Sequence, residues 1–270
     1  MNSNKKKKII KLIILIPSLI CINIALINIT KWNIDNKNTN QVIDDIEDIV
    51  DISDSDNEGE IILQEEEINK DDPYWDYIGM NLINVNFKDL KRKNKDTVGW
   101  IKVNGTNINY PFVQTTDNDY YLTHSFDRKI NEAGWVFLDY RNSISSFDKN
   151  TIIYAHSRLD QTMFGSLKNI FKSGWLNNKN NYVIKLSTEY ENTLWQVFSV
   201  YKISSTNDYI RVIFDDEHPF TEWVEKIKSR SFHNFNTTVS KDDYIITLST
   251  CGANDTKVVL HAKLIKKETR

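Results

Sequence analysis

From residue 98 onward, short apolar or alternating runs are separated by polar turns, the pattern of β-strands rather than of long helices. "VGWIKV" (98–103) and "INYPFV" (108–113) flank the turn "NGT" and predict a hairpin. Further strands are expected at 134–139, 151–156, 182–187, 193–203, 244–250 and 257–265, eight in all. Helical spacing appears in "YWDYIGMNLINVNFKDLKRK" (74–93) and after Pro219 in "PFTEWVEKIKSR". Eight short strands with few helices predict a mainly β domain, a closed eight-stranded barrel rather than a doubly wound sheet. The barrel would carry N-terminal helices and a helix between the sixth and seventh strands, and it shows no internal repeat.

Upstream the pattern changes twice. Residues 12–29 hold 18 uncharged, mostly apolar residues after a lysine cluster at 5–8. As a helix this run spans roughly 27 Å, about the thickness of bilayer hydrocarbon. A cleaved signal peptide is the competing reading, and the lack of a small-x-small cleavage site argues against it. The lysines keep the N-terminus cytoplasmic, so the expected arrangement is a single-pass membrane anchor with the rest of the chain extracellular. Residues 41–72 then hold 14 Asp or Glu against one Lys. That composition predicts an acidic flexible linker over 31–72. The division is therefore 1–30 Lys cluster and anchor, 31–72 linker, and 73–270 one compact extracellular domain.

Charge and composition then narrow the chemistry. Residues 73–270 carry a net charge near +4 and no basic stripe, which gives no support to nucleic-acid binding. No His, Cys or carboxylate cluster has the spacing of a structural metal site, and no Gly-rich phosphate loop is present, so neither metal nor cofactor is expected.

The chain has two cysteines, Cys21 in the apolar run and Cys251 at the end of the strand "TLSTC". No disulfide can form within residues 73–270, and an unpaired exported thiol points toward a functional one. A nucleophilic thiol needs a thiolate and a neighbouring base. Among the five histidines, His156 is the best candidate, because it ends the strand "TIIYAH" as Cys251 ends its own. His124, His218, His233 and His261 read as turn, surface or packed residues.

These motifs resemble those of class B sortases, the membrane-anchored cysteine transpeptidases of Gram-positive bacteria. "TLSTC" (247–251) is similar to the family's Thr-Leu-x-Thr-Cys signature. "DTVGWIKVNGTNINYPFVQTTDNDYYLTHSF", "AGWVFLDYRNS" and "DKNTIIYAHSRLDQTMFGSL" resemble the barrel entrance and the segment that leads through the catalytic histidine. The resemblance covers most of residues 75–265 and implies a sortase-type barrel. It also implies a Cys251 nucleophile, a His156 acid–base, and substrate contacts at Ser249 and Thr250.

Two positions depart from the pattern: Ala155 replaces a glycine, and Lys257 stands where the family's last strand carries an arginine. Lysine keeps the charge but lacks the planar fork; Arg158 and Arg211 are the other cations in play. The implied reaction cleaves a C-terminal sorting signal of a secreted protein, with Asn-Pro-x-Thr favoured, through a thioester. The acyl group then passes to an amino group of peptidoglycan. The alternatives are a catalytically silent sortase-like binding barrel and another cysteine acyl-transferase or peptidase.

Overall fold

The computed structural model describes residues 3–55, 59–62, 72–204, 206–215, 219–251 and 256–270, with the side chains of 3–10 and 251 excluded. His218, residues 252–255 and parts of the expected linker (56–58 and 63–71) lie outside the described residues.

The first element is α1 (Ser3–Glu47), followed by β1 (Asp51–Asp54), β2 (Glu60–Ile61), α2 (Tyr74–Tyr77), β3 (Ile83–Asn86) and α3 (Lys88–Lys93). Then come β4 (Thr97–Val103), β5 (Asn109–Val113), β6 (Phe137–Leu138), β7 (Asn150–His156), α4 (Ser173–Leu176) and β8 (Val183–Thr188). The chain ends with β9 (Glu191–Ser204), α5 (Phe220–Ser229), β10 (Ile245–Cys251) and β11 (Thr256–Thr269).

Among the described residues the main sheet runs β10-β7-β6-β5-β4-β8-β9-β11, and the pairing of β10 with β11 closes it into an eight-stranded barrel. The β4–β5 hairpin forms as expected through Asn104–Asn107, and Gly105 supplies the positive φ that its turn requires. Alternation puts Ile153, Ala155, Ile246 and Leu248 into the barrel interior with Trp100, Phe112 and Trp195. A smaller cluster lies on the outer face of β9, β10 and β11, where Trp223, Val224 and Ile227 of α5 cover Tyr201 and Val259. This is the helix expected between the sixth and seventh barrel strands.

Two stretches differ from the sequence reading. The expected helix at 74–93 is divided: Gly79 to Asn81 turn the chain, and β3 pairs with β1 before α3 begins. Alternate burial of Ile83 and Val85 outweighs the helical spacing.

The second stretch is the acidic segment. Its first 17 residues, 31–47, continue α1 without a break and pack on the barrel. Thr39, Val42 and Ile46 form a stripe at helical spacing, all buried. Beyond the helix, β1 pairs with β3 and β2 pairs with β11. Residues 31–47 hold only three of the acidic residues counted over 41–72, and their buried stripe is enough to dock this part of the expected linker.

Candidate active site

β10 and β7 run parallel, in register from Ile245↔Asn150 to Cys251↔His156. On its other side β10 pairs antiparallel with β11, which sets Cys251 opposite Lys257. Residues paired directly across a sheet lie on the same face. His156, Cys251 and Lys257 therefore occupy one row across three neighbouring strands, at or next to the strand ends. The thiol lies outside the described atoms, but its backbone position is fixed by pairing on both sides.

The His156 imidazole is oriented by its surroundings. Nε2 lies 2.7 Å from the Leu122 carbonyl oxygen. A carbonyl can only accept, so Nε2 carries the hydrogen and, in the neutral ring, Nδ1 carries the lone pair. Gly134 packs against the ring. It has φ +59°, and an added Cβ would come within 3.0 Å of His156 Cδ2 and 2.5 Å of the Tyr121 carbonyl oxygen.

The cation of the row rests on an aromatic floor. Lys257 Nζ lies 5.9 Å from the centroid of the Tyr209 ring. Tyr209 is fully buried, and its hydroxyl lies 2.9 Å from Ser249 Oγ. The segment bearing Tyr209 is fastened at both ends. Arg230, the residue that caps α5, grips the Asp208 carboxylate with both guanidinium nitrogens, at 3.0 and 2.5 Å, and holds its pKa well below the usual range. Arg141 donates to the Ile210 carbonyl at 3.1 Å and also clamps Asp139. Burial of Asp139 opposes ionisation, but the Arg141 fork and the Tyr154 hydroxyl outweigh it and keep the carboxylate charged.

Ser249 is 3% exposed with its hydroxyl bonded to Tyr209, and Thr250 is 1% exposed on the alternate face of β10. The two other candidate cations are placed elsewhere. Arg158 is committed to Asp160 and to Asn36 of α1. Arg211 has its carbonyl bonded to Asn150, at the opposite end of β7 from His156. Six strand positions, roughly 20 Å, separate them. His124 stacks on Tyr120 with Nδ1 on the Tyr120 carbonyl.

One row below Ser249, His261 is completely buried. Thr247 Oγ1 donates to Asn150 Oδ1 at 2.6 Å and so must accept from His261 Nδ1 at 2.8 Å. Nε2 in turn accepts from the Tyr201 hydroxyl at 2.8 Å. Both ring nitrogens are satisfied only in the neutral form, and burial holds the pKa down to about 3.

Comparison with known proteins adds an independent line. A family model described as the sortase domain matches residues 101–265, which include the whole row. The chain belongs to the sortase family. Sortase B of Staphylococcus aureus is 35% identical over 184 residues, covering 67% of this chain and 75% of that protein. Sortase B of Listeria monocytogenes is 37% identical over 188 residues, covering 67% and 74%. A crystal structure of sortase B complexed with triglycine superimposes with a TM-score of 0.63 at 35% identity, covering 67% of this chain and 85% of that one.

The chain is thus a class B-type sortase, a cysteine transpeptidase by family, and the closed barrel is the sortase barrel. Its α1 fits the membrane anchor of such an enzyme, being long and apolar enough to cross a bilayer. The row holds the three candidates legible in sequence, His156, Cys251 and Lys257, and the structure adds the Leu122 carbonyl, Gly134 and Tyr209 around them. A backbone acceptor leaves no residue signature, and Tyr209 sits in a segment with no periodic pattern.

Proposed function

We propose that this sortase acts at the cell surface on secreted proteins bearing a C-terminal sorting signal, of the Asn-Pro-x-Thr type, and joins them to an amino group of peptidoglycan. The observation that supports it best is the row of His156, Cys251 and Lys257 set by the strand register. In this reading the Cys251 thiolate attacks the threonine carbonyl, and the tetrahedral oxyanion is stabilised by backbone donors and by Lys257. The departing amine takes a proton from His156 Nδ1, the C–N bond on the carboxyl side of the threonine breaks, and a thioester remains. An incoming wall amine then attacks the thioester, gives up its proton to His156, and releases Cys251. A relative solved in complex with triglycine is consistent with an amine of that kind as acceptor.

Ser249 and Thr250 are the proposed substrate contacts. Both directly precede Cys251 on β10, Ser249 with its hydroxyl shared with Tyr209 and Thr250 with its side chain on the opposite, buried face. The test is mass spectrometry of peptide cleavage across Asn-Pro-x-Thr and Leu-Pro-x-Thr libraries, with and without triglycine. Cleavage after threonine with a triglycine adduct, abolished in Cys251→Ala at unchanged melting temperature, is expected. Wild-type cleavage by the Ala variant would overturn the reading.

A further inference from the structure

α1 is one continuous helix from the apolar run to the segment packed on the barrel. Its apolar part is exposed throughout, and Trp32 stands just beyond it, as aromatic residues do at membrane interfaces. Contact with the barrel begins at once. Asn131 Nδ2 donates to the Asp35 carbonyl at 3.3 Å and to Thr39 Oγ1 at 3.1 Å, and Arg158 donates to Asn36 Oδ1. Val42 and Ile46 then enter the core, and Lys93 pairs with Asp45 at 2.8 Å.

A helix gripped from residue 35 to residue 46 is a strut and not a tether. At the rise of an α-helix, Asn36 stands roughly 10 Å beyond Ile29, and the interfacial layer of one leaflet takes up about 5–8 Å of that distance. The loops at this height present bare aliphatic side chains: Leu159 is 82% exposed and Ile130 is 79% exposed. Leu159 follows Arg158, which follows the strand end of His156 by two residues.

We propose that α1 holds the barrel directly against the membrane surface, with Leu159 and Ile130 in contact with lipid headgroups. The strand end that carries His156 then opens at the height of the bilayer surface. A charged headgroup layer that accepts scattered aliphatic tips is the partner this face fits, and the short helical spacing leaves little room for any other.

The test uses the full chain in nanodiscs of phosphatidylcholine and phosphatidylglycerol, with Cys21→Ser and Cys251→Ala so that one introduced cysteine carries a fluorophore. Leu159→Cys and Ile130→Cys are compared with Tyr190→Cys. Tyr190 is 49% exposed beside Glu189, whose partner Lys91 shares α3 with Lys93 and hence the level of Asp45. Asp45 lies roughly 24 Å beyond Ile29. Lipids with a nitroxide on the headgroup should quench the 159 and 130 labels several-fold more than the 190 label. Adding about two polar helical turns (roughly 10 Å) after Thr30 should bring all three to the same low level. Equal quenching at 159, 130 and 190 without the insertion would overturn the proposal. Undiminished quenching at 159 after the insertion would overturn it too, because the strut would not be setting the height.

Discussion

Lys257 is where the chain departs furthest from the sortase pattern, and the register still sets it opposite Cys251. If its charge serves the oxyanion, Lys257→Ala removes one donor worth roughly 3–4 kcal/mol, a loss of about two to three powers of ten in turnover. Lys257→Arg should keep or raise the rate, since the fork can serve substrate backbone and oxyanion together. Turnover of the two variants side by side decides this; a change of less than about threefold in Lys257→Ala would make the lysine a bystander. His156→Ala should cost several orders of magnitude, whereas His124→Ala should cost little, because His124 is held on Tyr120 outside the row.

His261 predicts a pH effect on stability instead of on chemistry. The unfolded chain binds a proton at this residue below about pH 6.5, while the folded protein refuses it until about pH 3. Its contribution is therefore complete above about pH 6.5 and is lost as the pH falls through that window, by at most about 1.4 kcal/mol per pH unit. His261→Gln should flatten the fall in melting temperature between about pH 7 and pH 5 relative to wild type. Parallel curves would refute it.

At the scale of elements, β10 assembles the candidate row because it pairs on both sides. The parallel pairing with β7 brings together residues 95 positions apart in sequence, and the antiparallel pairing with β11 brings in Lys257. The turn before β6 brings Gly134 against the edge of the imidazole. Gly134→Ala combines a positive φ with contacts on Tyr121 and His156, so it should destabilise by about 1–2 kcal/mol from the backbone alone. It should also lower turnover more than a surface substitution of equal stability cost. Thermal melts read beside turnover separate the two effects. An unchanged rate in a destabilised Gly134→Ala would show that the imidazole is not held by this contact.

At the scale of the whole molecule, the anchor helix is part of the domain. Ile46 is buried in the barrel's own core cluster, so Ile46→Ala should cost about 2–5 kcal/mol in the unfolding of the barrel itself. Under a linker reading the same substitution would cost nothing, and denaturant unfolding distinguishes them. Asn131 and Arg158 fasten the same helix to the loops on either side of the His156 strand end.

Local pattern was enough for the barrel strands, because alternation has a period of two and each run of the signature advertises its own turn. It was also enough to nominate Cys251 and His156, since a lone cysteine after Thr30 and a histidine at a strand end are visible without neighbours. Tertiary structure decided what depends on partners distant in sequence. The tautomer of His156 follows from a backbone carbonyl 34 residues away, and the resting place of Lys257 follows from the Tyr209 ring. The helical fate of residues 31–47 follows from a barrel surface that buries Thr39, Val42 and Ile46. Charge composition is a sum over the segment and discards the order of its residues, whereas burial depends on that order and on the surface it meets.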